Sequence, residues 1–243
     1  AERAYEEAES YLKQARQRLA RAGVEVAQRI EPGEVAQVIC DVAEEERAEL
    51  IVLTLRGRSG ISSWVPGNVA ERALRRACCP VLLLRGHEAI RHVLIPLDGS
   101  TLAERALVPG LDLARSLGAR VTLLQAVELL ALGRHSEGSE GERGAEPSAF
   151  GRGLRYLESV AAGCESPGTP LDLEVVPDEA ADAILDFARE ASVDLIAMAT
   201  HGRTGLSRWV YGSVAESVLR GSEASLLVVP PGRRREPGRP VLG

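Results

Sequence analysis

Runs of Val, Ile and Leu alternate along this chain with stretches in which apolar residues recur every three or four positions. The continuous runs predict strands buried on both faces, and the periodic stretches predict amphipathic helices. From residue 92 onward the predicted strands are 92–97, 120–127, 171–176, 194–199 and 225–229. The predicted helices in the same region are 102–117, 150–162, 180–191 and one that begins near residue 213. This alternation is typical of a parallel sheet with helices on both faces.

An internal repeat with an offset of 145 residues organises the sequence. Residues 50–84 match residues 195–229, and the matched pairs include Gly57 with Gly202 and Gly67 with Gly212. This offset is too long for one unit of a solenoid, so we interpret the chain as a tandem duplication of whole domains.

The first copy shows only the later elements of the strand–helix order found in the second copy. Its predicted elements are a helix at 1–22, a strand at 24–30, a helix at 34–46, a strand at 49–55, a helix from residue 68 and a strand at 81–84. The counterpart of residues 91–145 is absent, which we interpret as a truncation. The predicted fold is therefore α/β, with two doubly wound, Rossmann-like parallel-sheet domains of which the first is incomplete. The expected boundaries are 1–86 for the first domain, 91–230 for the complete second domain and 231–243 for a flexible tail.

Composition narrows the classes of partner. The mean hydropathy of −0.04 is that of a globular protein, and no stretch approaches the ~20 apolar residues that a membrane span requires. A net charge of −6 argues against a nucleic-acid-binding face. The four cysteines fit neither a disulfide framework nor a zinc site, so we expect a cytoplasmic protein that binds neither nucleic acid nor membrane.

A glycine-rich loop leads from the predicted strand at 194–199 into the predicted helix near Ser213. Such a loop presents unpaired backbone N–H groups and the positive end of a helix dipole, which suits phosphate. Gly212 would let the backbone approach a phosphate oxygen, and Ser213 can either cap the helix or donate its hydroxyl to a ligand. The alternative that Ser213 only caps the helix and the glycines only shape turns stays open.

In combination these motifs resemble the universal stress proteins of the UspA type. The family pattern G-x2-G-x9-G-[S/T] is met from its second glycine onward by Gly202, residues 203–211, Gly212 and Ser213. The family's opening strand, which ends in an aspartate, is met by the strand that ends at Asp98. The resemblance covers nearly the whole chain.

The resemblance implies a site in the second domain for ATP or a related adenine nucleotide, with an accompanying Mg²⁺ left open. It places Asp98 at the adenosine end, Ala126 against the adenine and Gly202 near the ribose and phosphates. The remaining predicted site residues are Ala199, Gly205, Gly212, Ser213 and Val214. A purely structural role for Asp98, as a turn residue that bonds its own backbone, also remains open.

Two departures from the family pattern bear on this expectation. Ala199 stands where the family has its first glycine, and its counterpart in the first copy is Thr54, so added bulk can narrow the pocket. In the first copy Asn68 replaces the hydroxyl residue, and the strand that would carry the aspartate is missing. We expect no competent nucleotide site in the first copy.

The sequence contains no Walker lysine, nucleophile elbow or cysteine–histidine metal motif. Our leading hypothesis is a regulatory nucleotide-binding protein of the stress response, with at most weak hydrolysis. One alternative is a nucleotide-independent interaction protein that assembles through its last strands, and another is a slow ATPase that depends on Asp98. The last strands of the two copies, 81–84 and 225–229, are expected to pair antiparallel within the chain, and a homodimer is a further expectation.

Overall fold

The computed structural model describes residues 2–55, 69–86, 89–127, 149–164, 170–200 and 212–231. Its helices are α1 (Glu2–Arg21), α2 (Val35–Glu45), α3 (Val69–Arg76), α4 (Leu107–Leu117), α5 (Ala149–Gly163), α6 (Ala180–Glu190) and α7 (Ser213–Gly221), with a short 3-10 helix, η1, at Ala103–Ala106. Its strands are β1 (Ile51–Thr54), β2 (Val81–Leu84), β3 (His92–Pro96), β4 (Arg120–Ala126), β5 (Leu171–Val176), β6 (Leu195–Ala199) and β7 (Ser225–Val229).

All seven strands belong to one sheet, in the order β1-β2-β7-β6-β3-β4-β5. The five strands of the second repeat are parallel to their neighbours, and β3 lies between β4 and β6. The chain winds outward from β3 through β4 to β5 and then returns to β6 and β7. This is a doubly wound α/β sheet whose direction of winding changes between β3 and β6, so the predicted fold class is confirmed.

Among the described strands, the two repeats are joined in the sheet by the antiparallel pair β2 and β7. Leu82 lies opposite Leu227, and these two residues are counterparts at the offset of 145. Around this pair Val81 lies opposite Val228 and Leu83 opposite Leu226. The repeats are therefore related by a pseudo-two-fold axis through the central leucine pair, and their last strands run side by side as expected from the sequence.

The core consists of one apolar cluster on each face of the sheet. One cluster holds Leu83, Leu94 and Ile196 and is covered mainly by α3, α6 and α7. The other holds Val93 and Leu227 and is covered by η1, α4 and α5. Burial on both faces explains why the strands lack an alternating polar pattern.

The predicted strand at 24–30 is wrong, because residues 24–30 form neither helix nor strand in the structure. Its counterpart in the second repeat, β5, is held by hydrogen bonds to β4. Among the described residues no strand takes the position of β4 in the first repeat, so residues 24–30 have no described strand beside them with which to pair. A strand without a neighbour leaves its backbone groups to water and gains no sheet stabilisation.

No helix in the described ranges is both long and apolar enough to cross a lipid bilayer.

Candidate functional site

A cavity of about 270 Å³ lies beyond the carboxyl ends of β3 and β6, where the winding of the sheet changes direction. In open α/β sheets this is the position at which ligands bind. Six of the eight residues predicted to form the site line the cavity, namely Asp98, Ala126, Ala199, Gly212, Ser213 and Val214. The volume is close to the lower end of the range for small-molecule sites, about 300 Å³.

Asp98 is exposed and begins a tight turn directly after β3. Its Oδ1 accepts a hydrogen bond from the backbone N–H of Ser100 at 2.9 Å, and Gly99 between them adopts a φ of +83°. Ser100 in turn accepts from the N–H of Ala103 through its hydroxyl, at 3.1 Å. Asp98 is thus a turn residue that also lines the cavity, and the turn fixes the direction of its carboxylate.

The segment that follows this turn is anchored from outside the cavity by Tyr156 of α5. The hydroxyl of Tyr156 donates to Oε1 of Glu104, at 3.0 Å, and Glu104 belongs to η1. Burial, the bond to Glu104 and the nearby carboxylates raise the pKa of Tyr156 above its ordinary value. The hydroxyl therefore stays protonated and keeps donating, which holds η1 and the Asp98 turn against α5.

The opposite end of the cavity is the first turn of α7. Gly212 occupies the N-cap position and Ser213 is the first helical residue, so the structure does not use Ser213 as the cap. The N–H of Glu216 donates to the carbonyl oxygen of Gly212 at 3.0 Å, which closes the first helical turn. The amides of residues 213–215 precede this bond and have no acceptor within the helix, and they lie at the positive end of its dipole. This end of the cavity favours an anion.

The walls between these two ends are apolar. They are formed by Leu124 and Ala126 from β4, Met198 and Ala199 from β6, and Ile184 from α6. Ala199 is half-buried at the point where the family pattern has glycine, so its methyl group occupies part of the slot. Sequence reasoning missed Ile184, because it belongs to the ordinary apolar face of an amphipathic helix and no motif distinguishes it.

Gly202 and Gly205, the other two predicted site residues, lie outside the described residues. The equivalent loop of the first repeat, 56–68, lies outside them as well. Thr54, the counterpart of Ala199, is exposed at the end of β1. Among the described strands β1 pairs only with β2, so no strand equivalent to β3 stands beside Thr54.

Within the part of the chain that the structure describes, no group of three or more His, Cys, Asp or Glu side chains could hold a metal ion. The described lining of the cavity offers the Asp98 carboxylate, the hydroxyls of Ser100 and Ser213, an apolar slot and a set of backbone amides. This arrangement can bind and orient a ligand that has a polar, an apolar and an anionic part.

The fold and the cavity define a tandem α/β protein with a cavity at the switch point of its second repeat. The family model described as "Universal stress protein family" matches residues 1–85 and 89–230. The chain belongs to the universal stress protein family.

Individual relatives agree with this membership. A universal stress protein of Mycobacterium tuberculosis is 29% identical over 193 residues, which are 74% of this chain and 61% of the relative. A universal stress protein of Methanocaldococcus jannaschii is 31% identical over 149 residues, which are 61% of this chain and 86% of that protein. The chain thus spans about 61% of the length of the mycobacterial relative.

A solved structure shares the fold. The crystal structure of a universal stress protein from Archaeoglobus fulgidus covers 95% of this chain and 80% of its own, with a TM-score of 0.73 at 23% identity.

Proposed function

We propose that the second repeat binds ATP or a related adenine nucleotide in the cavity between Asp98 and the start of α7, and that binding has a regulatory role in the stress response in the cytoplasm. The observation that carries this proposal is the position of the cavity. It lies at the switch point of the sheet and is lined by six of the residues that the family resemblance nominates.

The three parts of the cavity fit the three parts of such a nucleotide. The Asp98 carboxylate accepts hydrogen bonds from ribose hydroxyls or from the adenine amino group. The aliphatic walls formed by Leu124 and Ile184 suit the flat faces of a purine. The free amides at the start of α7 suit the phosphates.

Binding is proposed for the second repeat alone, and we take residues 91–230 as the nucleotide-binding domain and residues 1–86 as its incomplete companion. Among the described residues of the first repeat there is neither a counterpart of Asp98 nor a strand equivalent to β3 beside β1. Both are needed to close one side of the cavity in the second repeat.

Hydrolysis is not the proposed role. Phosphoryl transfer needs a group that orients the attacking water and a metal that neutralises charge. Asp98 is the acid that lines the cavity, and one of its oxygens already accepts the turn hydrogen bond from Ser100. Magnesium can accompany the nucleotide, and titrations with and without Mg²⁺ address that point.

A nucleotide-independent role in protein assembly is the second candidate, and the methyl group of Ala199 favours it because it takes up room beside the slot. The antiparallel β2–β7 pair would then be the functional feature of the fold. An Ala199→Gly variant separates the two candidates. It should bind nucleotide at least as tightly as the unaltered protein if the cavity is a nucleotide site.

Isothermal titration calorimetry with ATP and ADP tests the proposal directly. We expect saturable binding that weakens about tenfold in Asp98→Ala, the loss of roughly 1.4 kcal/mol that one charge-assisted hydrogen bond supplies. Asp98→Asn is the matched control, because its amide oxygen can keep the turn bond to Ser100 while the charge is removed. An absence of heat with either nucleotide up to millimolar concentration would refute the proposal.

A further inference from the structure

The Asp98 turn and η1 form one hydrogen-bonded unit, residues 98–106, which we call the Asp98 unit. Besides the bond that Asp98 accepts from Ser100, the N–H of Glu104 donates to the carbonyl oxygen of Ser100 at 3.2 Å. The N–H of Ala103 donates to the Ser100 hydroxyl. These bonds fix the first residues of η1 relative to the Asp98 carboxylate, so a force applied to η1 also moves that carboxylate.

The two sides of the Asp98 unit face different spaces. Asp98, Ser100 and Ala103 line the candidate cavity. Glu104 instead lines a groove between α4 and α5, and Tyr156 of α5 lines the same groove. Neither Glu104 nor Tyr156 is among the described residues that line the cavity. The hydrogen bond between them therefore lies behind the cavity wall, and it can affect a ligand in the cavity only through the Asp98 unit.

Two kinds of contact hold the Asp98 unit in place. One is packing of η1 on β6, which is apolar and has no preferred direction. The other is the bond from the Tyr156 hydroxyl to Glu104, the described side-chain hydrogen bond that joins the unit to another helix. A hydrogen bond is directional, and one to a carboxylate is stronger than one between neutral groups. Without its donor, the half-buried Glu104 carboxylate would be free to turn toward water.

We propose that Tyr156 is a positioning residue for the candidate site: its hydrogen bond to Glu104 holds the Asp98 carboxylate in the place where it meets the nucleotide, and so raises the affinity for ATP. This inference rests on the proposed function, because it takes Asp98 as a group that contacts the nucleotide. The physical reason is preorganisation. A carboxylate that is already held in the binding geometry loses less conformational entropy when the ligand arrives.

Calorimetric titration of the full chain with ATP tests the proposal. Tyr156→Phe keeps the ring and removes only the hydroxyl, and we expect ATP to bind about fivefold more weakly. The matched control is Tyr11→Phe. Tyr11 is the counterpart of Tyr156 at the offset of 145 and is 70% exposed, so this variant should bind ATP as the unaltered chain does.

Changing the acceptor of the same bond gives a second, independent variant. Glu104→Leu removes the acceptor and should weaken ATP binding about as much as Tyr156→Phe does. Glu104→Gln keeps an amide oxygen that accepts the bond from Tyr156, so it should retain most of the affinity. Combining Tyr156→Phe with Glu104→Leu should cost no more than either change alone, because both remove the same hydrogen bond.

A double-variant cycle with Asp98 separates positioning from a general loss of stability. In an Asp98→Ala background there is no carboxylate to position, so adding Tyr156→Phe should change the dissociation constant for ATP by less than about twofold. A general loosening of the fold would weaken binding equally in both backgrounds. Urea unfolding of each variant checks that the chain is folded under the conditions of the titration.

The outcomes distinguish this inference from the proposed function. An unaltered chain that does not bind ATP would overturn both. ATP binding that weakens in Asp98→Ala and is unchanged in Tyr156→Phe would overturn the role of Tyr156 and leave the proposed function standing. A loss caused by Tyr156→Phe that is just as large in the Asp98→Ala background would also overturn it, because the hydroxyl would then not act through Asp98.

Discussion

The ends of β6 and β1 have matching sequence and different surroundings. Strand β6 lies between β3 and β7, and its last residue, Ala199, lines a cavity together with Asp98 of the turn after β3. Strand β1 has β2 on one side, and no described strand on the other. The glycines that follow both strands are conserved between the repeats in number and spacing. The described cavity in the second repeat is bounded on one side by the acidic turn that follows β3, so under our proposal the loop motif needs this second strand to complete a binding site.

The strongest test of the comparison is a charge placed where the two repeats meet. Leu83 of β2 is fully buried opposite Leu226, so Leu83→Asp should lower the free energy of unfolding by about 4 kcal/mol or more, because a carboxylate is forced into an apolar core. The control is Val52→Asp on β1, where Val52 is 51% exposed, and its cost should stay below about 1 kcal/mol. Urea unfolding measures the free energy of unfolding of both variants. Similar losses in the two variants would show that the pairing of β2 with β7 does not join the two repeats.

Shortening the same side chain at matched positions of the two repeats measures how much a second neighbouring strand contributes to the free energy of unfolding. Ile196 of β6 and Ile51 of β1 are counterparts, with 0% and 6% of their surfaces exposed. We expect Ile196→Ala to cost about 4 kcal/mol and Ile51→Ala about 2 kcal/mol, since the edge strand can relax around the lost volume. Denaturant titration measures the free energy of unfolding of the two variants. Equal losses would mean that β1 is packed as tightly as β6.

A pH effect should arise from β3, which has no counterpart among the described strands of the first repeat. Burial lowers the pKa of His92, whose ring contacts the Thr122 hydroxyl at 2.8 Å and the Ala191 carbonyl at 3.2 Å. The unfolded chain has the ordinary pKa of about 6.5 and so takes up a proton first as the pH falls. The contribution of His92 to the free energy of unfolding should therefore be constant above that pH and should fall by up to about 1.4 kcal/mol per pH unit below it.

His92→Gln removes this titration and serves as the comparison protein. Its unfolding free energy should change less than that of the unaltered chain between about pH 5 and pH 7, a range that includes the ordinary histidine pKa of about 6.5. Carboxylate titrations contribute equally to both proteins and cancel in the difference. A difference that does not vary with pH would contradict the role given to His92.

Much of the fold could be predicted because the elements follow local chemistry. Strands β2, β5 and β7 have the predicted bounds, and α4 ends at Gly118, which adopts a φ of +65° as a helix-terminating glycine should. The predicted strand at 24–30 failed because a strand depends on a partner, and its apolar pattern says nothing about whether that partner is present.

The candidate site was predictable only in part. Its ends are set by local motifs, the turn at Asp98 and the glycine before α7, and these can be recognised in the sequence. Its walls are set by tertiary packing. Ile184 lines the cavity because α6 packs against β4, and nothing in the sequence of α6 separates that position from an ordinary core position.

Native mass spectrometry of the protein with ATP counts the nucleotides bound per chain and so tests whether the second repeat holds the site. We expect one nucleotide per chain, lost in Gly212→Val, where a branched side chain would stand at the start of α7. The matched variant Gly67→Val in the first repeat should still carry one nucleotide per chain. A second nucleotide on the unaltered chain, or loss of the bound nucleotide in Gly67→Val and not in Gly212→Val, would contradict the assignment of the site to the second repeat.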